Sequence, residues 1–289
     1  MFDLHMHSTF SDGKDNLETL INNVKEAGID YFALTDHDTA LGCRTILQSA
    51  ELQQKIKDYG LTFVVGVEFT CLFGTQKMHI LAYDFDPFAP EVIELETQMS
   101  DLMKEKDVHR FKYLEDLGYV LSSKSKEFLN SRVNIRKLDI ANCLVNDGYY
   151  NDVEVAIQDC LQKIKYPKQY RIDGKEVLEK MSKMGAKLVW AHSLHGLKER
   201  AITHEQVDEF VSQMKPLGLS GLECFYSLYD KDEIAGLVEI AKKHDLFITC
   251  GSDYHGKNKT VQLAEMSADG SPVDESLIEV KNIFKNVIS

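Results

Sequence analysis

The chain has 289 residues, 44% of them apolar, a length that suits one large α/β domain or one barrel carrying an insertion. Its 46 acidic residues outnumber the 33 basic ones, and the net charge of −13 argues against stable nucleic-acid binding, which needs a basic surface. No run of about 18 apolar residues is present to span a membrane, and no basic stretch followed by an apolar one marks a signal peptide.

In chain order, the apolar stretch MFDLH comes first and leads into HMHSTFSDG. Alternate strand residues share a face, so His5 and His7 are expected to point the same way. NLETLINNVKEAG then places Leu17, Leu20, Ile21, Val24 and Ala27 at helical spacing, with Asp15 or Asn16 to cap it and Gly28 to end it. A short strand, YFALT, runs into Asp36-His37, a helix is expected from about Thr45 to Tyr59, and TFVVGVEFT reads as a buried strand. Across a turn near Phe73-Gly74, KMHILAYDF reads as the next strand. From about Pro90 to Tyr166 the chain is helix-rich, which predicts an inserted helical subdomain over 91–166. Alternation then resumes, with KEVLEKMSKMG, EQVDEFVSQMKPLG and DEIAGLVEIAKKH as helices and KLVWAH, GLECFY and FITCGSDYH as strands. Repeated βα units predict a mostly parallel sheet, and this many strands favour a barrel formed by 1–90 and 167–289. The six cysteines are scattered with no CxxC pair, which fits reduced thiols in a cytoplasmic protein.

Several polar residues share one topological position. His5 and His7 end the first strand, His37 follows the second, Glu68 lies near the end of the third, His192 closes KLVWAH, and Asp253 and His255 follow FITCGS. The C-terminal ends of barrel strands converge on one rim, where the active sites of such folds are built. His79 begins its strand, but an antiparallel pairing about the Phe73-Gly74 turn would set it opposite Glu68, about 5 Å away. Each residue has an ordinary reading as well. HxH recurs by chance, Asp36 and Asp38 could simply start a helix, and His109, His204 and His244 receive no role. As a set, five histidines following apolar strands, with Asp12, Glu68 and Asp253, are read as holding metal.

The segments HMHSTFSDG, ALTDHDT, GVEF, HILAYDFD, WAHS and GSDYHG, in that order, closely resemble the PHP (polymerase and histidinol phosphatase) family of metal-dependent phosphoesterases. The resemblance covers about 1–90 and 170–289. It implies a distorted seven-stranded βα barrel with two or three divalent ions, and an insertion like that of stand-alone members acting on nucleotide phosphates. Carried over by motif, one ion would take His5, His7, Glu68 and Asp253. A second would take Asp12, His37 and His255, and a third Glu68, His79 and His192, with Glu68 bridging. Two departures stand out. Ser193 follows His192 where relatives often have proline, and NIRKLDIANCLVNDGYY lacks the Arg-Pro-His stretch usual in the insertion, with Asp139 at the histidine position. An aspartate there repels a phosphate unless paired or protonated.

Imidazole and carboxylate donors suit Mn²⁺, Fe²⁺ or Zn²⁺ rather than a sulfur-rich structural zinc. Two such ions would polarise a bridging water into hydroxide and bind the phosphoryl oxygens, with Asp12, His37, Glu68 and Asp253 as the catalytic donors. The expected reaction is hydrolysis of a small phosphomonoester, with a nucleotide or nucleoside bisphosphate as the substrate class. His195 could donate the leaving-group proton, contact phosphate or be an ordinary loop residue. Arg136 and Lys137 belong to a basic run, with Lys124, Lys126 and Arg132 against Glu127, that would bind substrate phosphate from over the site; a solvated helix face is the other reading. The alternatives are a 5′-to-3′ exonuclease on short oligonucleotides, a histidinol-phosphate-like or other metabolite phosphatase, an amidohydrolase and a non-catalytic metal-containing regulatory module.

Overall fold

A computed structural model describes residues 1–132, 135–167, 169–196, 201–258 and 260–289. The elements are β1 (Phe2–Asp3), α1 (Leu17–Glu26), β2 (Tyr31–Leu34), α2 (Leu41–Gln48), α3 (Ala50–Asp58), β3 (Thr62–Phe73), β4 (Gln76–Tyr83) and α4 (Pro90–Asp116). There follow α5 (Ser123–Asn130), α6 (Lys137–Asn146), α7 (Val153–Asp159), β5 (Ile172–Asp173), α8 (Gly174–Lys183), β6 (Lys187–Ala191) and α9 (His204–Met214). The chain closes with β7 (Leu219–Tyr226), α10 (Lys231–Lys243), β8 (Phe247–Gly251), α11 (Val280–Ile283) and β9 (Val287–Ile288).

The main sheet path runs β1-β2-β3-β4-β6-β7-β8. It is a nearly closed barrel, because Leu4 N donates to Cys250 O at 3.0 Å and Met6 bridges Tyr254, bringing the first strand's continuation against the last. The central strands are buried on both faces: every residue of β2 is buried, as is most of β6, β7 and β8. A parallel sheet clothed by helices demands such unbroken apolar runs rather than alternation. Along this path β4 breaks the parallel order, antiparallel to both β3 and β6, and off the path β9 also runs antiparallel to β3. Gly74, at φ +62°, makes the tight return possible.

The helices follow their local signals. Asn16 caps α1 by accepting from Thr19 N at 2.9 Å, and Asp230 and Glu233 form a capping box on α10. The helix expected over Thr45–Tyr59 is instead two, α2 and α3. They break at Ser49, whose backbone is extended and whose side chain caps α3 by accepting from Leu52 N. Asp36 and Asp38 start neither helix, since α2 begins at Leu41 with Ala40 as its N-cap.

The chain packs as two compact units, one formed by Met1–Glu96 with Ile172–Ser289 and the other by Thr97–Arg171. The second unit has its own core, including Leu114, Leu129, Ile140, Leu144, Leu161 and Ile164. Among the described residues no helix is long and apolar enough to cross a membrane.

Candidate metal centre

Strand direction fixes where the site forms. His5 and His7 leave β1, His37 leaves β2, His192 leaves β6, and Asp253 and His255 leave β8, all at the C-terminal ends of parallel strands. Because β4 runs the other way, its first turn of chain, carrying His79, lies at that same rim. The register places Thr70 opposite His79 and Leu81 opposite Glu68. The directly opposed Glu68–His79 pair expected from the sequence is therefore a diagonal one, two residues out of register but on one face.

Glu68 is fully buried at the centre. Its Oε2 lies 3.3 Å from His5 Nε2, 3.3 Å from His7 Nε2 and 2.9 Å from His37 Nδ1. Its Oε1 lies 2.8 Å from His79 Nδ1 and 3.1 Å from His192 Nε2. Asp253 Oδ1 stands 3.1 Å from His7 Nε2 and 3.6 Å from His5 Nε2. Asp12 Oδ1 stands 3.0 Å from His255 Nε2 and 3.9 Å from His37 Nε2. Donor atoms thus gather within 4.8 Å of one another in three overlapping groups: His7, Asp12, His37 and His255; His5, His7, Glu68 and Asp253; and His37, Glu68 and His79. His192 adjoins the third, its Nε2 3.1 Å from His79 Nδ1.

These donors meet the requirements of divalent ions. His5 Nε2, His7 Nε2, His37 Nδ1 and Glu68 Oε2 are buried, yet none has a hydrogen-bond partner of acceptable geometry. Buried polar atoms are ordinarily paired, so four that converge unpaired on one point fit ligands to a cation. Imidazole nitrogens and carboxylate oxygens are the donors such ions take.

The charges pull hard on one another. Burial alone would push the Glu68 carboxyl up, but His37, His79 and His5 hold it well below the usual range. Burial opposes a proton on His5, while Glu68 and Glu223 raise it well above an ordinary histidine. His37 is raised to about 9 by Glu68 in spite of burial, whereas burial pushes His79 down to about 3. Asp12, its burial offset by His255 and His37, is held low.

Three supporting carboxylates received no role at the site from the sequence, which read Asp36 only as a possible helix start and did not single out Asp3 or Glu223. Asp36 accepts from Ser8 N at 2.8 Å, Ser8 Oγ at 2.7 Å and Ser11 Oγ at 2.6 Å, fastening the loop that carries Asp12. Asp3 accepts from the backbone N–H groups of Ser252 and Ala264. Glu223 lies 2.9 Å from His5 Nδ1. Tyr226, also not singled out, donates to Asp253 Oδ2 at 3.2 Å. The available signal was an acid inside an apolar strand, as in MFDLH and GLECFY, because acids are seldom fully buried without a partner.

The expected substrate contacts are divided between the two units. His195 Nε2 is 2.8 Å from Glu233 Oε1, and His195 lines one small cavity with His79 and His192. Arg136 and Lys137 belong to the second unit, at the N-cap and first residue of α6. Asp139 accepts from Arg136 N at 2.9 Å and Nε at 3.2 Å. Burial raises its carboxyl, but Arg136 outweighs that and holds it low.

A nearly closed βα barrel with this donor set at its rim defines the class, a metal-dependent phosphoesterase. The profile of the PHP domain matches residues 3–189, and the chain belongs to the PHP family. It is 25% identical over 268 residues to the phosphoribosyl 1,2-cyclic phosphate 1,2-diphosphodiesterase of Eggerthella lenta, covering 88% of this chain and 94% of that one. It is 27% identical over 256 residues to a 5′-3′ exoribonuclease of Haemophilus influenzae, covering 88% and 89%. Among solved structures, a Bifidobacterium adolescentis protein assigned as a metal-dependent phosphoesterase superposes with a TM-score of 0.72 at 25% identity, covering 98% of this chain and 94% of that one.

Proposed function

We propose that the protein hydrolyses a phosphomonoester of a small nucleotide or nucleoside bisphosphate at the barrel rim. The observation that carries this reading is the convergence of buried imidazole nitrogens from four strands on the Glu68 carboxylate, with Asp12 and Asp253 beside them. In it, His5, His7, Glu68 and Asp253 hold one divalent ion; Asp12, His37 and His255 a second; and Glu68, His79 and His192 a third. Mn²⁺, Fe²⁺ or Zn²⁺ would supply Lewis acidity toward phosphoryl oxygens and lower the pKa of a water. The rest is done by the chain. Asp36 holds the Asp12 loop in place, and Tyr226 orients the Asp253 carboxylate. His195, braced by Glu233, is the proposed proton donor to the leaving oxygen. Arg136 and Lys137, at the start of α6, are the proposed contacts to the substrate phosphate, with Asp139 orienting the Arg136 guanidinium.

The two curated relatives act on a phosphoribosyl compound and on RNA, so a phosphate ester on ribose is the shared chemistry that supports a nucleotide substrate. The exoribonuclease likeness favours one second reading, stepwise removal of nucleotides from a short 5′-phosphorylated oligoribonucleotide. Six free, buried cysteines fit a reducing compartment such as the cytoplasm. A phosphate-release screen of nucleotides, bisphosphates, sugar phosphates and oligoribonucleotides with Mn²⁺ tests the reading. Release from a mononucleotide supports it, shortened oligomers shift it to the second, and full turnover by Asp253→Asn refutes the site.

A further inference from the structure

Glu223 sits in the middle of β7, fully buried, and each of its carboxylate oxygens meets a different candidate ligand. Oε1 is 2.9 Å from His5 Nδ1, and Oε2 accepts the backbone N–H of His192 at 2.8 Å. His5 comes from β1 and His192 from the end of β6, so one carboxylate ties together two strands that are not neighbours in the sheet. The approach needs a gap in β8. A Cβ on Gly251 would stand 2.2 Å from His5 Cβ and 2.6 Å from Glu223 Oε1, and only glycine leaves that room. His192 itself holds a φ of +31°, a conformation that persists where the surroundings enforce it.

We propose that Glu223 is a positioning residue for the metal centre, fixing the tautomer of His5 and the backbone of His192 together. An acceptor at His5 Nδ1 selects the imidazole protonated there. The Nε2 lone pair is then left facing Glu68 Oε2 at 3.3 Å and Asp253 Oδ1 at 3.6 Å. The second oxygen holds the His192 N–H, which keeps the His192 ring against Glu68 Oε1 at 3.1 Å. A carboxylate satisfies both donors. A glutamine amide has one oxygen and one NH₂ group, so it can match only one of them. This role rests on the reading that His5 and His192 bind ions.

The test is Mn²⁺ titration calorimetry on the unaltered protein, Glu223→Gln and His7→Ala, the last of which does not touch Glu223. The expected result is that Glu223→Gln keeps its circular dichroism and binds Mn²⁺ about 10- to 100-fold more weakly, while His7→Ala loses most binding. Wild-type affinity in Glu223→Gln with loss in His7→Ala overturns the positioning role and leaves the ligand reading standing. Wild-type affinity in both overturns the ligand reading, and the positioning role with it. Should Glu223→Gln not fold, histidine ¹⁵N spectra of the unaltered Zn²⁺-loaded protein decide: His5 protonated at Nδ1 supports the proposal, and His5 protonated at Nε2 overturns it.

Discussion

At the scale of single residues, the two halves of the chain show opposite ways of holding a carboxylate. Glu68 faces five imidazoles and no hydrogen-bond donor of good geometry at Oε2, so its charge is arranged for something not made of protein. Asp139 is arranged for its neighbours, accepting the Arg136 N–H at the start of α6 and pairing with the Arg136 guanidinium. Replacing Asp139 with Ala removes a helix-start contact worth about 1 kcal/mol, read from urea unfolding at pH 7. Since its folded carboxyl is held low, that contribution is present above the unfolded pKa and is lost as pH falls through the folded one, so the two proteins should converge in acid. Lys106 gives the contrary sign. Burial, with Arg110 and Arg171 nearby, lowers it to about 8, below the unfolded value of about 10.4. Between those pH values the unfolded chain binds more protons, so stability rises with pH. Urea unfolding at pH 7.5 and 9.5 should show this rise, and Lys106→Met should flatten it; an equal slope in both proteins contradicts the assignment. The histidines and acids of the rim were legible because they end apolar strands. Glu223 was not, because it lies inside GLECFY, where only its charge sets it apart and nothing local says which strand it faces.

At the scale of elements, the reversed strand β4 decides the site. Gly74 turns the chain back, and His79, in the first half of β4, is delivered to the rim where parallel strands end. That a hairpin would bring His79 to Glu68 could be read from the sequence. Its register could not, because turn length and cross-strand packing fix it, and a diagonal pair serves the same face as a direct one. The division of Thr45–Tyr59 into α2 and α3 likewise rests on Ser49 capping α3, a weak local preference that tertiary packing settles. β8 carries the tightest constraint. Gly251→Ala would press its methyl against His5 and Glu223. Overpacking of this kind costs about 1–3 kcal/mol, and here it also displaces His5, a candidate ligand. Gly251→Ala should therefore melt several degrees lower and bind Mn²⁺ more weakly; unchanged melting and affinity would contradict the packing described at this strand.

At the scale of the whole molecule, the fold brings together groups from residue 5 to residue 255. The fold class and most strands and helices in chain order were legible because buried parallel strands are plain apolar runs and their helices carry clear caps. A cage of imidazoles and carboxylates assembled only in the folded barrel couples ion binding to stability. An ion present at 100 times its Kd adds about 2.7 kcal/mol, so chelation should lower the melting temperature by several degrees and Mn²⁺ should restore it. No change on chelation of a protein shown to contain ions would mean that they sit outside the barrel.

The most direct measurement is anomalous diffraction from crystals grown with Mn²⁺. At least two peaks should lie within bonding distance of donor atoms in the group His7, Asp12, His37 and His255 and the group His5, His7, Glu68 and Asp253. Peaks confined to other surfaces, in a protein that releases phosphate at full rate, would contradict the assignment of this rim as the catalytic metal centre.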